Sequence, residues 1–369
     1  MFTEFDLECM RRALTLAERA RGHTSPNPIV GAVIARRGRI VGEGYHKRAG
    51  TPHAEPLAIK DAGKRARGGT LYVTMEPCCT YGRTPPCTDA ILRTGLKRVV
   101  IATEDPSPKH RKRGVAILRR AGLKVQVGLF KDEATRMNPA YNKWITTGLP
   151  LVTLKAAMSL DGKIATRDGE SKWITGPEAR AFAHKLRAQH DAILVGINTV
   201  LRDDPALTVR TAPPPRRQPL RVVLDSSGRI SLRSQLLSDR YRQNTLVITT
   251  PRCGVSKREE IQSRGANVLV APLRGGAVDV RWALRQLGKQ EITSILVEGG
   301  GEAIASFLEQ GLADRIAFFY APLIIGGNGA ASAVAGRGVA RLAEALRLKN
   351  LSYERIGNDL LVMAECSSA

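Results

Sequence analysis

The sequence has little that would suit a membrane protein, an exported protein or a surface that stacks nucleic-acid bases. Its 369 residues contain no apolar run long enough to cross a bilayer, and aromatic residues make up only 5% of the chain. The first residues, MFTEFDLECMRRALTLAERA, lack the basic head and apolar core of a signal peptide and are typical of an amphipathic helix. These absences favour a cytoplasmic protein, long enough to bury two separate cores.

Cysteine is scarce and unevenly placed, which excludes a disulfide framework. Cys9, Cys253 and Cys366 are scattered, as expected in a reducing compartment, whereas Cys78, Cys79 and Cys87 form a cluster. The cluster therefore requires an explanation of its own.

Acidic residues are also few relative to basic ones. The chain has 57 Lys and Arg but only 34 Asp and Glu, which gives a net charge of +23. Basic proteins usually meet an anionic partner such as nucleic acid, a membrane surface or a phosphorylated metabolite. Here the charge is spread along both halves of the chain. This distribution favours a solvated basic surface with a few arginines for a phosphorylated small molecule, and neither a nucleic-acid nor a membrane partner.

In the first part of the chain, apolar runs of strand length alternate with helix-period stretches, which predicts an α/β sandwich. The predicted strands cover 30–35, 70–75 and 98–103, and the predicted helices lie near 7–20, 54–66, 87–94 and 114–121. After a polar helical passage the pattern restarts at Pro150. We expect a first domain over 1–147 and a second over 148–369.

The second part repeats the alternation and predicts a mostly parallel sheet. Its predicted strands cover 191–196, 221–225, 245–250, 267–271, 292–298 and 315–322, with helices near 177–188, 256–263, 279–287 and 301–310. The end of the chain alternates around Gly357-Asn358-Asp359 and predicts a hairpin. The proline-arginine stretch 211–219 predicts a surface loop.

Four residues of the first part form a pattern typical of a catalytic zinc site. His53 opens a predicted helix, Cys78 follows a predicted strand, and Cys87 starts the next helix. One imidazole and two thiolates leave the fourth position of a tetrahedral zinc ion open for water. Glu55 stands two residues from His53, where it can move protons without binding the metal.

His53-Ala54-Glu55 and Glu76-Pro77-Cys78 resemble the signature of the cytidine-deaminase-like superfamily. The string EPCCTYGRTPPC, with eight residues between Cys78 and Cys87, resembles the pyrimidine deaminase domain of the bifunctional deaminase/reductase family of riboflavin biosynthesis. The family usually carries Ser-His where this chain has Cys79-Thr80. Alignment on Pro77 makes Cys78 the ligand and Cys79 a bystander, and a closed zinc site with Cys79 as fourth ligand stays open.

The same resemblance points to residues that would hold the deaminase substrate. The segment TSPNPIVG resembles the family's substrate loop, so Asn27 is expected on the pyrimidine, although an ordinary Asx turn explains it equally well. By resemblance, His46 and Arg83 are candidates for the polar groups and phosphate of the substrate. Surface roles are the ordinary alternative for both.

Several strings of the second part resemble the family's reductase domain, which has a dihydrofolate-reductase-like fold and uses NADPH. They are LKAAMSLDGKIA, GESKWITG, DAILVGINTVLRDDPALTVR, VLDS and VEGGG. The resemblance implies that NADPH is lined by Ala157, Trp173, Thr199, Asp203, Ser226, Gly300, Gly301, Glu302, Ala303, Ile304, Ala305 and Ser306. It implies that the substrate is held by Ser171, Arg187, Leu207, Arg210 and Glu298. Without the resemblance, the glycines near 300 are weak evidence, and Trp173 is equally consistent with a core aromatic.

The resemblance runs over nearly the whole chain and implies two activities: deamination of a diaminopyrimidinone ribosylamino phosphate, then NADPH-dependent reduction of its ribosyl unit to ribityl. We also expect a homo-oligomer. Two other interpretations remain, a nucleic-acid-editing zinc deaminase with an appended binding domain and an RNA-binding protein with a vestigial zinc fold.

Overall fold

The computed structural model describes residues 2–212, 215 and 217–367. The chain divides into two compact units, of which the first ends at Leu149 and the second begins at Pro150. The predicted loop over 211–219 includes residues 213, 214 and 216, which lie outside the described residues. In the described part of the chain, each helix is too short or too polar to cross a membrane.

The first unit is built around a five-stranded sheet with the strand order β2-β1-β3-β4-β5. Strand β1 is antiparallel to β2 and β3, whereas β3, β4 and β5 run parallel to one another. Its elements are α1 (Glu4–Glu18), β1 (Gly31–Arg36), β2 (Arg39–Tyr45), α2 (Ala54–Ala62), β3 (Thr70–Met75), α3 (Cys87–Thr94), β4 (Arg98–Thr103), α4 (Arg113–Arg120), β5 (Lys124–Val127), α5 (Lys131–Met137) and α6 (Pro139–Thr147).

Alternating side chains of these strands pack in two separate hydrophobic cores, one on each face of the sheet. Val33 and Val100 pack with α1 and α5 on one face, while Ile34 and Ile101 pack with α2, α3 and α4 on the other. Both faces of the sheet are therefore covered by helices, and the predicted α/β/α sandwich is confirmed.

The topology brings several loops to one edge of the sheet. Because β3 and β4 are parallel, the segments after Met75 and after Thr103 leave from the same edge, and β1 begins there. Helix α2 lies directly on β2, where a Cβ at Gly42 or Gly44 would overlap the backbone of α2. Only glycine permits this approach, which places the start of α2 at the same edge.

The second unit contains a nine-stranded sheet with the order β10-β9-β8-β7-β13-β6-β14-β16-β15. The seven strands β10, β9, β8, β7, β13, β6 and β14 run parallel to one another. Strand β16 is antiparallel to both of its neighbours, β14 and β15. Its strands are β6 (Leu151–Ser159), β7 (Ala192–Gly196), β8 (Leu220–Leu224), β9 (Thr245–Thr249), β10 (Asn267–Val270), β11 (Leu273–Arg274), β12 (Ala277–Val278), β13 (Ser294–Val297), β14 (Arg315–Ala321), β15 (Leu348–Ile356) and β16 (Asp359–Cys366). Its helices are α7 (Pro177–Ala188), α8 (Ile197–Asp203), α9 (Gln235–Ser238), α10 (Val255–Ser263), α11 (Val280–Lys289) and α12 (Gly301–Glu309).

The mostly parallel sheet and the C-terminal hairpin are as predicted. Apolar residues of the central strands are buried on both faces: Val195 and Val223 pack in one cluster, and Leu296 and Phe319 pack in another with α7. The carboxyl ends of β7, β8 and β13 meet at one edge, which is where ligands bind in open α/β sheets.

Candidate active sites

A histidine and two cysteines meet at one edge of the first sheet. His53 Nδ1 lies 3.6 Å from Cys78 Sγ and 3.2 Å from Cys87 Sγ, and the three ligand atoms lie within 4.8 Å of one another. One nitrogen and two sulfurs form the donor set of a catalytic zinc site with a position left for water. The side chains as folded therefore fit a zinc ion.

Each of the three side chains is fixed by the element that carries it. His53 immediately precedes α2, Cys87 is the first residue of α3, and Cys78 follows β3. The Cys87 N–H donates to Cys78 Sγ at 3.4 Å, and Thr84 Oγ1 lies 3.3 Å from His53 Nε2. A hydrogen bond at the second ring nitrogen holds the imidazole with Nδ1 towards the thiols.

Cys78 is the more acidic of the two thiols. A hydrogen bond from Cys87 lowers the pKa of Cys78, against the opposing effect of burial, and His53 contributes in the same direction. The pKa of Cys87 is raised because its thiol donates to Cys78 and is buried. The lowered pKa favours the thiolate form of Cys78, which is the form that binds metals.

Glu55 is buried beside this group. Its Oε2 has no hydrogen-bond partner among the described residues, and 3% of the residue is exposed. Burial, followed by the nearby negative charge of Cys78, raises the pKa of Glu55 to about 7. A cation between the thiols would offset the second cause and leave the first. A carboxyl group with a pKa near neutrality can both accept and release a proton.

Cys79 belongs to a different contact from its neighbour Cys78. Its Sγ lies 3.8 Å from His110 Nδ1, and burial raises the pKa of the thiol. The metal-binding group found in the described part of the chain does not include it. The geometry thus gives no support to a closed site with Cys79 as fourth ligand.

Asn27 and His46 are brought together next to the metal-binding group. Asn27 Nδ2 lies 3.1 Å from His46 Nε2, and His46 Nδ1 lies 3.2 Å from the Pro52 carbonyl oxygen. Because a carbonyl only accepts, Nδ1 carries the proton and Nε2 accepts from the Asn27 amide. Burial lowers the pKa of His46, and its ring packs edge-on against His53 with centroids 5.0 Å apart. His46 is therefore a buried ring and not a surface residue.

The segment that carries Asn27 is hydrogen-bonded to Asn138, which lies near the end of the first unit in sequence. Asn138 Oδ1 accepts from the Ile29 N–H at 2.8 Å, and Asn138 Nδ2 donates to the Ile29 carbonyl at 3.0 Å. The pairing joins residues 109 positions apart, so no local pattern could reveal it. Arg83, the other predicted residue of this site, is exposed in the loop between the two cysteine ligands.

The second unit contains a cavity of about 450 Å³ at the carboxyl edge of its sheet. Its size suits a small organic ligand or one part of a larger one. Ten of the predicted reductase residues line it: Ala157, Ser171, Trp173, Arg187, Thr199, Asp203, Leu207, Arg210, Glu298 and Gly300.

A buried ion cluster lies in the wall of the cavity. Arg187 Nε and Nη2 donate to the two Glu298 carboxylate oxygens at 2.6 and 3.0 Å, and Lys155 Nζ lies 3.6 Å from Glu298 Oε2. Burial alone would raise the pKa of Glu298, but the charges of Arg187 and Lys155 lower it to about 2. Arg187 also donates to the Thr208 carbonyl at 2.9 Å. Most of its donors are therefore already used, and the exposed Arg210 has more capacity for a phosphate.

Trp173 is not a core aromatic. Its side chain is 68% exposed at the rim of the cavity, with the Arg180 guanidinium 4.6 Å from the ring centroid. Nearby, Ser171 Oγ donates to Asp203 Oδ1 at 3.4 Å. One predicted substrate residue and one predicted cofactor residue are thus in direct contact.

The glycine turn at residues 299–301 leads into α12 without a side-chain cap. The Gly300 N–H donates to Thr199 Oγ1 at 3.1 Å, and a Cβ at Gly301 would overlap the Ser332 carbonyl. Uncapped N–H groups at a helix start suit a pyrophosphate. The residues that follow lie in α12, where the side chains of Ile304 and Ala305 face the core and those of Glu302, Ala303 and Ser306 are more accessible.

Ser226 lies apart from the cavity residues, just after β8. Its Oγ accepts from the Val278 N–H at 3.1 Å, and its carbonyl accepts from Thr250 Oγ1 at 2.7 Å. Lys155 and Arg180, which line the cavity, were not singled out from the sequence. The period-two alternation of β6 could have found Lys155, because it places that residue on the same face as Ala157.

Comparison with known proteins identifies the family of each unit. The family model described as the cytidine and deoxycytidylate deaminase zinc-binding region matches residues 3–103, and the one described as the RibD C-terminal domain matches residues 150–362. The riboflavin biosynthesis protein RibD of Aquifex aeolicus is 44% identical over 98% of this chain and 99% of its own length. The RibD of Escherichia coli is 41% identical over 95% of this chain and 96% of its own.

Solved structures show the same architecture. RibD of Acinetobacter baumannii superposes with a TM-score of 0.89 at 36% identity, covering 99% of both chains. The diaminohydroxyphosphoribosylaminopyrimidine deaminase/5-amino-6-(5-phosphoribosylamino)uracil reductase of Thermotoga maritima gives a TM-score of 0.83 at 34% identity, covering 98% of this chain and 99% of that one. The chain therefore belongs to the RibD family, whose members join a zinc-dependent pyrimidine deaminase to an NADPH-dependent reductase in the biosynthesis of riboflavin.

Proposed function

We propose that the His53–Cys78–Cys87 site hydrolytically deaminates 2,5-diamino-6-(5-phosphoribosylamino)pyrimidin-4(3H)-one, and that the cavity around Glu298 reduces the ribosyl arm of the product to ribityl. The observation that carries this assignment is the buried, unbonded Glu55 oxygen beside an imidazole and two thiols. A structural metal site has no use for such a carboxylate, whereas a hydrolytic site requires one.

His53 Nδ1 and the sulfurs of Cys78 and Cys87 would hold the zinc ion. Bound there, zinc supplies the Lewis acidity that activates water near neutral pH. The lowered pKa of Cys78 supports its role as a ligand, because metals bind the thiolate form. Thr84 keeps the His53 ring in the binding orientation.

Glu55 would carry the protons of the reaction. Burial raises the pKa of its carboxyl group, so Glu55 would accept a proton from water and donate one to the departing amine nitrogen. The proton on His46 Nδ1 turns the Asn27 amide nitrogen towards His46, which leaves the Asn27 carbonyl oxygen for an N–H of the pyrimidine. Arg83 stays a candidate for the polar groups of the substrate.

In the second unit, the glycine turn and the start of α12 would hold NADPH, which supplies the hydride. Thr199 supports this turn through Gly300, and Ala157, Trp173 and Asp203 line the cavity in front of it. Glu298 would accept from the pyrimidine N–H groups, and Arg210 with Ser171 would meet the phosphate. Arg187 and Lys155 keep Glu298 ionised for that purpose.

Mass spectrometry of the reaction on the diaminopyrimidinone phosphate tests this proposal. Without NADPH, the product should show exchange of an amino group for oxygen, with one ammonia released. With NADPH, it should gain two further hydrogens. Absence of the first mass change would refute the deaminase assignment, and absence of the second would refute the reductase assignment.

We also propose that the protein forms a homo-oligomer through the face of β15 and β16. Tyr353 pairs with Val362 across these strands, and Tyr353, Leu351 and Leu360 are 67%, 47% and 40% exposed. An exposed apolar face can pack against the same face of a second copy. Sedimentation should show an oligomer for the wild type and a monomer for Tyr353→Arg.

Two further assignments stay proposals. The cytoplasm is the proposed location, and it is supported by the free state of all six cysteines. We place the boundary between the two activities at residues 147 and 148, close to the junction of the compact units at Leu149 and Pro150.

A further inference from the structure

The loop that joins β4 to α4 carries a cluster of basic side chains: Lys109, His110, Arg111, Lys112 and Arg113. It follows the carboxyl end of β4, and the segment with Cys78 follows the carboxyl end of β3. Because these strands are parallel neighbours, the basic loop lies beside the metal-binding segment. The contact between His110 and Cys79 at 3.8 Å fixes this position directly.

Glu76 clamps this loop to the metal-binding segment. Its Oε2 accepts from the N–H groups of Asp105 at 3.2 Å and Lys112 at 3.0 Å, and its Oε1 accepts from the Val115 N–H at 3.0 Å. Glu76 is buried and stands two residues before Cys78. Three charge-assisted bonds hold the backbone of the basic loop at a fixed place relative to the site.

The hydrogen bonds of Glu76 also limit which groups of the loop can bind an anion. Glu76 occupies N–H groups at the start of α4, so a second anion cannot rely on that helix terminus. An anion must therefore be bound by the lysine and arginine side chains of the loop, which are exposed. In residues 2–212, 215 and 217–367, no carboxylate lies within 4.0 Å of Lys109, Lys112 or Arg113, and Arg111 reaches Glu104 only at 4.0 Å.

We propose that Lys109, Arg111 and Lys112 bind the phosphate of the deaminase substrate and so anchor its ribosyl arm while the pyrimidine lies at Glu55. This rests on the proposed deaminase function. Ammonium and guanidinium groups make strong charge-assisted hydrogen bonds to phosphate oxygens. Like charges on neighbouring residues of one short loop repel one another, and a dianionic phosphate relieves that repulsion.

The matched control lies at the opposite edge of the same sheet. Arg36, Arg37 and Arg39 surround the turn between β1 and β2, whose other ends lead to Asn27 and His46. Six strand residues separate this turn from the site edge, which is about 20 Å. Replacing either set by glutamine removes three positive charges, so the two variants match in the charge removed and differ in its place.

The test compares Lys109→Gln/Arg111→Gln/Lys112→Gln with Arg36→Gln/Arg37→Gln/Arg39→Gln, each checked for zinc content and unfolding. Deaminase kcat and KM are measured with the phosphorylated substrate and with the same compound after phosphatase treatment. In the loop variant, KM should rise about tenfold or more for the phosphorylated substrate only, with kcat within about twofold. The control variant should match the wild type for both substrates.

An unchanged KM, or an equal rise for both substrates, would overturn the phosphate assignment. If the loop variant instead loses affinity for an RNA oligonucleotide while its KM stays unchanged, the basic loop serves nucleic acid. If the wild-type chain releases no ammonia from either compound, the deaminase function itself fails, and the phosphate assignment fails with it.

Discussion

Cys78 and Cys79 are adjacent in sequence but face different partners, which makes them a sharp pair for testing the metal site. Cys78→Ser removes a thiolate ligand, so purified protein should fall from about one zinc ion per chain to nearly none. Cys79→Ser changes only the contact with His110 and should keep its zinc. Metal analysis of both variants checks this, and loss of zinc in Cys79→Ser would reverse the assignment.

Glu298 is the buried carboxylate that pairs with two basic residues in the wall of the reductase cavity. Glu298→Gln leaves Arg187 and Lys155 without their shared carboxylate, so stability should fall by about 3 kcal/mol. The KM of the reductase for the deaminated intermediate should rise about tenfold or more, because an acceptor for the pyrimidine is weakened.

The control for this change is Glu259→Gln, which is exposed in α10 and does not line the cavity. Steady-state kinetics with the intermediate supplied directly, together with chemical denaturation, separates the two variants. Equal kinetics for both would show that Glu298 does not contact the substrate.

At the scale of elements, α1 is tied to the sheet by one buried carboxylate. Asp6 accepts two hydrogen bonds from Arg98 at 2.7 and 2.9 Å and one from the Tyr72 hydroxyl at 2.7 Å. Burial opposes ionisation, but the bonds from Arg98, the Thr3 N–H and Tyr72 lower the pKa of Asp6 well below its usual value. Asp6→Asn should therefore destabilise the protein by about 3 kcal/mol at pH 7.

The lowered pKa also sets the sign of the pH dependence. The ionised Asp6 stabilises the fold above about pH 4, its pKa in the unfolded chain, and this contribution is lost as the pH falls towards the folded-state pKa. The gap between wild type and Asp6→Asn in denaturant midpoint should narrow below pH 4. Glu8→Gln, on the exposed side of the same helix, should show neither effect, and a gap independent of pH would contradict this account.

The elements that the sequence predicted well are the strongly apolar or strongly periodic ones. β3, β4, α3 and α7 have the predicted bounds, because buried strands and amphipathic helices carry their own signal. β2 was missed because the glycines that let α2 approach interrupt its apolar pattern. α8 was missed because it continues directly from β7 without a break.

At the scale of the whole molecule, the metal-binding group was predictable and its surroundings were not. His53, Cys78 and Cys87 were found because their spacing is fixed by the elements that carry them. The Asn138–Ile29 pair, the Glu76 clamp and the His46–Pro52 contact depend on tertiary packing between distant segments or on side-chain orientation. A single sequence gives the types of such residues but not their partners.

The two compact units imply that the two activities can be silenced one at a time, and Glu55→Gln is the most direct test. The variant keeps its zinc ligands but loses the group that carries protons, so deamination should fall by about 10²–10⁴. Reduction of the deaminated intermediate by NADPH should be unchanged, while Asp203→Ala should do the reverse and stop the reaction after ammonia release. If Glu55→Gln abolished both steps in a folded, zinc-loaded protein, the two reactions would share one centre, and the account of two separate sites would be wrong.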